Sequence, residues 1–312
     1  MSVRAVVFGY HDVGDRCLRV LLSQGIDVPL VITHVPDPVE PQWFASVERT
    51  AREYGIPVLT PEDPGQASLE RVLSEIRPDF LFSFYYRRML SPRLLQLPRR
   101  GALNMHGSLL PKYRGRAPIN WAILRGEQET GATLHYMVER ADAGDIVDQL
   151  AVPILQDDDA LIVTRKVTVA AEVVLARTLP ALVAGRAPRR PQALADGAYF
   201  GRRTPEDGRI DWTQPARDIH NLVRAVAPPF PGAFSEVNGK RWWLHKTRVA
   251  QPRAFSPGPP RLFGEDGRCF IACADGGVLE LLAGRIDDAA LDLRALAAEV
   301  TRKPILLPMR QQ

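Results

Sequence analysis

Apolar positions in the N-terminal part of the chain fall into short unbroken blocks, separated by stretches with helical spacing. Val3 to Gly9 is such a block, and Val28 to Thr33, Ile56 to Leu59, Asp79 to Phe84 and Gly101 to His106 follow it. Between them, Asp12 to Leu22 sets Val13, Cys17, Val20 and Leu21 on one stripe, and Glu48 to Tyr54 and Leu69 to Ile76 also read as helix. Apolar strands alternating with helices imply a mostly parallel sheet covered on both faces. The fold class expected is α/β, Rossmann-like. Ligands of such sheets sit outside the carboxyl ends of the strands.

Further on, Pro118 to Leu124 reads as helix, Thr133 to Val138 as strand, and Asp159 to Leu182 as a long helix with Leu161, Val167, Val174, Leu175 and Leu182 among its apolar positions. Gly185 to Gly201 is a connection rich in Ala, Pro and Arg. Beyond it come a short helix and then brief strands: Phe234 to Val237, an Asn238-Gly239 hairpin turn, Arg241 to His245, Phe270 to Ala274 and Val278 to Leu282. That pattern predicts a small β-barrel resembling the oligonucleotide/oligosaccharide-binding (OB) type. The expected division is a catalytic domain over 1–203, an OB-like domain over 204–305, and a tail over 306–312.

Composition narrows the class. The chain has 312 residues, 46% of them hydrophobic, which is enough to build two buried cores. No apolar run approaches the ~20 residues of a membrane helix. Met1-Ser2-Val3-Arg4 enters the first strand without the layout of a secretory signal, so a cytoplasmic protein without membrane insertion is expected. Cys17, Cys269 and Cys273 form no CxxC and no Cys/His cluster, which argues for buried thiols and against a metal site. Gly9 and Gly14 do not match Gly-x-Gly-x-x-Gly, and His34 stands where an acidic residue would close the second strand, so no NAD is expected. The net charge of +4 is carried by scattered arginines, not by a basic face, and no nucleic-acid partner is expected. No pattern specifies an oligomeric state.

The candidate chemistry lies in Asn104-Met105-His106-Gly107. On a strand, residues two apart share a face. One face then carries an amide N–H donor for a developing oxyanion and an imidazole base for an amine proton, the pair that acyl transfer to nitrogen needs. A carboxylate beside the imidazole would orient it, and Asp142 is the candidate, in a loop of small residues Ala141-Asp142-Ala143-Gly144. Taken alone, His106 also fits a hydrogen-bonded structural histidine, and Asp142 a solvated acidic turn.

The run from Asn104 to Gly115 resembles the signature of folate-dependent formyltransferases, and Asp142-Ala143-Gly144-Asp145-Ile146 resembles their second motif. The resemblance extends over essentially the whole chain. It implies transfer of a formyl group from 10-formyltetrahydrofolate to an amine, with Asn104, His106 and Asp142 as the catalytic trio. It also implies a folate site at Arg88, Met89, Leu90, Arg116 and the loop Val138, Glu139, Arg140, Ala141 and Asp142. From the residues alone, Met89 and Leu90 fit core packing equally well.

Phe82 to Arg87, Tyr113 to Trp121 and Phe200 to Asp207 are more narrowly similar to the formyltransferase part of ArnA-type bifunctional polymyxin-resistance proteins. That similarity implies the 4-amino group of UDP-4-amino-4-deoxy-L-arabinose as acceptor, a step toward lipid A modification. Those proteins continue into an NAD-dependent decarboxylase, whereas this chain ends at Pro308-Met309-Arg310-Gln311-Gln312, so either a stand-alone enzyme or an excised domain is expected, the tail favouring the first. Tyr113, Arg203, Thr204 and Arg224 are candidates for the sugar nucleotide; ordinary surface roles compete. Methionyl-tRNA formylation is the rival activity, but His34 to Pro41 holds no Lys or Arg for a phosphate backbone. A non-catalytic OB-type nucleic-acid module is the other alternative, on Trp242-Trp243 beside Lys240 and Arg241.

Overall fold

Strand order places the candidate trio. The computed structural model describes residues 2–38 and 41–309. Val39 and Glu40 of the acidic stretch, and Arg310 to Gln312 of the tail, lie outside the described residues. The contacts divide the chain into two units, one of residues up to 118 with 129–153 and 164–201, the other of 119–128, 154–163 and residues from 202 on.

The elements of the first part of the chain are β1 (Arg4–Gly9), α1 (His11–Ser23), β2 (Asp27–Ile32), α2 (Val47–Glu53), β3 (Val58–Leu59), α3 (Ala67–Ile76), β4 (Phe80–Phe84), α4 (Pro92–Gln96) and β5 (Gly101–His106). They continue with β6 (Arg114–Gly115), α5 (Pro118–Leu124), β7 (Glu129–Tyr136), β8 (Ile146–Pro153), α6 (Ala160–Val183) and β9 (Tyr199–Phe200). The main sheet runs β3-β2-β1-β4-β5-β7-β8. It is parallel from β3 through β5, and antiparallel where β5 meets β7 and β7 meets β8. The central strands are mainly apolar and mostly buried, as a doubly covered sheet requires; Phe8, Phe80, Phe82 and Phe84 are among the largest enclosed side chains. The α/β expectation is met.

Two local readings change. The strand expected over Thr133 to Val138 begins earlier and stops at Tyr136, because the chain leaves the sheet to build the Asp142 loop. β8 has no counterpart among the expected strands. It is an edge strand, with β7 as its one partner strand and a single bridge from Ile146 to Arg190 on its other side, so its pattern is mixed rather than apolar.

The second part holds α7 (Ala216–Ala225), β10 (Ala233–Val237), β11 (Lys240–Ala254), β12 (Arg261–Glu265), β13 (Arg268–Ala272), β14 (Gly277–Ile286), β15 (Ala289–Ala290), α8 (Leu293–Arg302) and β16 (Ile305–Leu306). Its strands form an antiparallel half-barrel in the order β10-β11-β14-β13-β12-β16. Asn238 and Gly239 take φ of +51° and +74°, the conformation that turns β10 back into β11. Trp242 is buried, while Trp243 carries the Arg285 guanidinium 4.5 Å above its ring, so neither indole is an open stacking platform. The three cysteines are buried and free.

Candidate active site

Asn104 and His106 sit at the carboxyl end of β5 and share one face by strand alternation. The antiparallel register sets His135 opposite Asn104 and Thr133 opposite His106. Asp142 arrives from the loop after β7 and takes a positive φ of +53°. The three candidates converge: His106 Nδ1 is 3.6 Å from Asp142 Oδ1, and His135 Nε2 is 3.6 Å from the same oxygen. Asn104 Nδ2 lies 3.2 Å from His135 Nε2.

Carbonyl partners fix both ring tautomers. His106 Nε2 is 2.8 Å from the Tyr113 carbonyl, which can only accept, so Nε2 carries the proton and Nδ1 is the basic atom beside Asp142. His135 Nδ1 is likewise 2.8 Å from the Tyr136 carbonyl, leaving Nε2 to accept from the Asn104 amide. One Asn104 N–H is thereby spent on orientation and the other is left for a ligand. Gly115 donates its backbone N–H to Asp142 Oδ2 at 2.8 Å. Burial pushes the Asp142 carboxyl up, but the two imidazoles 3.6 Å from it, whenever they carry a proton, and the Gly115 N–H outweigh it, and hold it well below the ordinary carboxylate range.

The turn between His106 and Gly115 is laced from below. Ser108 Oγ donates to the Lys112 carbonyl, Thr133 Oγ1 donates to the Ser108 carbonyl, and Gln149 Nε2 donates to both Thr133 Oγ1 and the Leu110 carbonyl. Gly115 has φ of +97°, and a Cβ there would stand 2.3 Å from the Phe200 carbonyl, so glycine alone fits.

The other candidates are placed as follows. Tyr113 reaches the site through its backbone carbonyl, while its ring stacks on Phe200 at 4.9 Å. Arg88 is exposed and donates to the Pro61 carbonyl. Met89 is 61% exposed, so core packing is not its role, whereas Leu90 is buried in the core and can offer a ligand only its backbone. Arg116 is exposed and donates to the Arg87 carbonyl, tying the Tyr113 loop to the loop after β4. Val138, Glu139 and Arg140 are exposed and Ala141 partly so.

Arg203, Thr204 and Arg224 belong to the second unit. Arg203 lies over the Trp121 ring at 4.8 Å, and burial lowers its pKa. The Thr204 hydroxyl bonds Asp207. Arg224 corrects the surface-ligand expectation: it is buried, and its guanidinium donates to Asn221 Oδ1 and to the Leu155 and Asp158 carbonyls. Desolvating that group for structural bonds leaves little for a diphosphate. His135, Thr133 and Gln192 escaped the sequence reading; the available signal was polar Thr133 and His135 alternating with buried Ala132 and Leu134.

Among the described residues, no group of three or more His, Cys, Asp or Glu is arranged to hold a metal ion, and no helix is long and apolar enough to cross a membrane. The family model described as formyl transferase matches residues 3–179, and that of the formyl transferase C-terminal domain matches residues 202–298. The fold is similar to that of an N-formyltransferase from Helicobacter canadensis in complex with folinic acid and dTDP-3-aminofucose, with a TM-score of 0.72 and 21% identity over 90% of this chain and 99% of that one. It is also similar to WlaRD, a sugar 3N-formyl transferase, with a TM-score of 0.72 and 20% identity over 94% and 99% of the two chains. A sugar N-formyltransferase from a Shewanella species matches with a TM-score of 0.61 and 18% identity over 80% and 98%.

Proposed function

Since the chain belongs to the formyl transferase family, we propose that it moves a formyl group from 10-formyltetrahydrofolate to the amine of a nucleotide-linked sugar. The observation that carries this reading is the meeting of Asn104, His106 and Asp142 at the carboxyl end of one strand. In the same reading, residues 1–203 form the catalytic domain and 204–305 the C-terminal domain.

The loops after β4 and β7 flank β5 and leave two large apolar side chains exposed, Met89 and Val138. Such side chains beside loop backbone fit a flat heterocycle with a donor/acceptor edge. Arg88, Met89, the Leu90 backbone, Arg116 and the loop from Val138 to Asp142 would hold the folate. When bound, it supplies a formyl carbon attached to a nitrogen that can leave as an amine.

The acceptor amine attacks the formyl carbon, and the carbonyl oxygen gains negative charge. The free Asn104 N–H stabilises that oxygen, a contribution of about 10² to 10³ in rate. The new C–N bond leaves the attacking nitrogen cationic, and His106 Nδ1 takes its proton. Asp142 Oδ1 offsets the charge so formed on the ring. The C–N bond to the donor then breaks, and the proton returns to the departing nitrogen.

The specific acceptor we propose is UDP-4-amino-4-deoxy-L-arabinose, on the segments Phe82 to Arg87, Tyr113 to Trp121 and Phe200 to Asp207; lipid A modification and polymyxin resistance follow from it. The Helicobacter relative's bound dTDP-3-aminofucose supports an amino-sugar nucleotide as the class. The test is a product assay with 10-formyltetrahydrofolate against UDP- and dTDP-linked amino sugars and Met-tRNA. Formylation of the UDP-4-amino sugar is expected. Transfer to a dTDP-sugar alone would overturn the specific acceptor, and transfer to Met-tRNA alone would overturn the sugar reading.

A further inference from the structure

Residues 185–201 read in sequence as a connection rich in Ala, Pro and Arg, yet this stretch crosses both walls of the trio. On one wall, Arg190 exchanges backbone hydrogen bonds with Ile146, and Gln192 Nε2 donates to the Asp142 carbonyl at 3.0 Å and the Gly144 carbonyl at 2.6 Å. On the other, Arg114 N–H donates to the Ala198 carbonyl, Arg116 N–H to the Phe200 carbonyl, and the Arg114 guanidinium to the Leu194 and Gly197 carbonyls.

The Asp142 turn needs outside support. Asp142 sits in the left-handed region, which residues with a side chain enter less readily than glycine. The turn is also tight, since a Cβ on Gly144 would stand 2.0 Å from the Tyr136 carbonyl. Its two carbonyls, at Asp142 and Gly144, converge on one NH₂ group. The chemistry fixes the amide's orientation, because turning it over would set Oε1 against two carbonyl oxygens. Oε1 itself is buried with no hydrogen-bond partner among the described residues. A buried acceptor left unpaired is costly, so this amide is kept for its two donors.

We propose that Gln192 is a positioning residue for Asp142, holding its carboxylate in register between His106 Nδ1 and His135 Nε2. The inference rests on reading the trio as the formyl-transfer centre. Gln192 touches no reacting atom and no proposed contact of the amino sugar, so its effect falls on turnover and not on binding of the acceptor. Misplacing a catalytic group by about 1 Å can cost up to about 10²-fold.

The test replaces Gln192→Met, which keeps the length and buried volume and removes both donors. We expect kcat to fall about tenfold, with KM for the amino sugar within about twofold. In an Asp142→Asn background, followed by single-turnover transfer, the same change should alter the rate by less than about twofold, because the group being held has gone. An unchanged kcat in the single variant, or an equal loss in both backgrounds, overturns the proposal. If Gln192→Met does not fold, Gln192→Asn, one methylene too short to reach, goes through both backgrounds on the same criteria. Hydrogen exchange at the Gly115 amide needs no substrate and separates the two ideas: release of Asp142 should speed it about tenfold. Unchanged exchange sinks the positioning role even in an active enzyme. Faster exchange in a protein that formylates nothing sinks the function and leaves the clamp standing.

Discussion

Asn104 and His135 are cross-strand partners at the antiparallel step between β5 and β7, and the His135 ring holds the Asn104 amide at 3.2 Å. The Tyr136 carbonyl fixes that ring in turn, so Asn104 is oriented by a chain of two hydrogen bonds starting from the backbone. In the proposed role of oxyanion donor, an amide held this way needs no reorganisation during reaction. His135→Ala should lower kcat about tenfold with little change in KM. A full kcat would remove the ring from the site's support.

Asp142 stays ionised through the neutral range, since its carboxyl lies well below the ordinary value. A carboxyl depressed by folding contributes stability above its unfolded pKa, and loses it as pH falls through the folded one. Asp142 should therefore play no part in any loss of activity or stability between about pH 5 and 8. Asp142→Asn should cut turnover by about 10²-fold or more at every pH in that window. A loss that disappears toward the acid end of the window would show a carboxylate titrating where this account has it fixed.

His34 sets a different acid limit. Its ring stacks on Tyr86 at 4.1 Å, and its Nε2 accepts the Arg87 backbone N–H at 2.9 Å, which only the neutral ring can do. Burial, then Arg88 and Arg87, push its pKa down to about 4. The unfolded ring binds its proton near pH 6.5, so the stability this neutral histidine contributes is complete above that value and declines as pH falls toward 4. Thermal melts from pH 7 to pH 4.5 should show a falling midpoint, and His34→Gln should flatten the fall. An identical slope in the variant would assign it to other groups.

Gly115→Ala should destabilise the fold by about 1–3 kcal/mol and weaken the N–H donated to Asp142, because both the positive φ and the Phe200 carbonyl exclude a side chain. Denaturant titration measures the first effect and kcat the second. A stable, fully active alanine variant would contradict the geometry of that loop.

Much of this site was legible in the chain itself. The period of a strand put Asn104 and His106 on one face, and small residues marked the Asp142 loop. His135 and Gln192 were not legible, because each acts through a relationship the local pattern does not contain. His135 depends on an antiparallel register in a sheet that is otherwise parallel where its apolar strands are strongest. Gln192 crosses 48 residues to reach the Gly144 carbonyl, from a stretch with no periodicity. Met89 and Leu90 are adjacent and both apolar, and only the direction of the chain after β4 decides that Leu90 enters the core while Met89 stays outside. Arg224 looks in sequence like any cationic surface group, and burial beside Asn221 makes it a structural donor instead.

The central claim is that an amide, an imidazole and a carboxylate act together on a formyl group in transit. The most direct measurement is single-turnover formyl transfer to the accepted amino sugar by Asn104→Ala and His106→Ala, each checked for its native melting transition. Each should transfer at least ~10²-fold more slowly than the unmodified protein, with the sugar nucleotide still bound. Transfer at a near-normal rate by either folded variant would contradict the account.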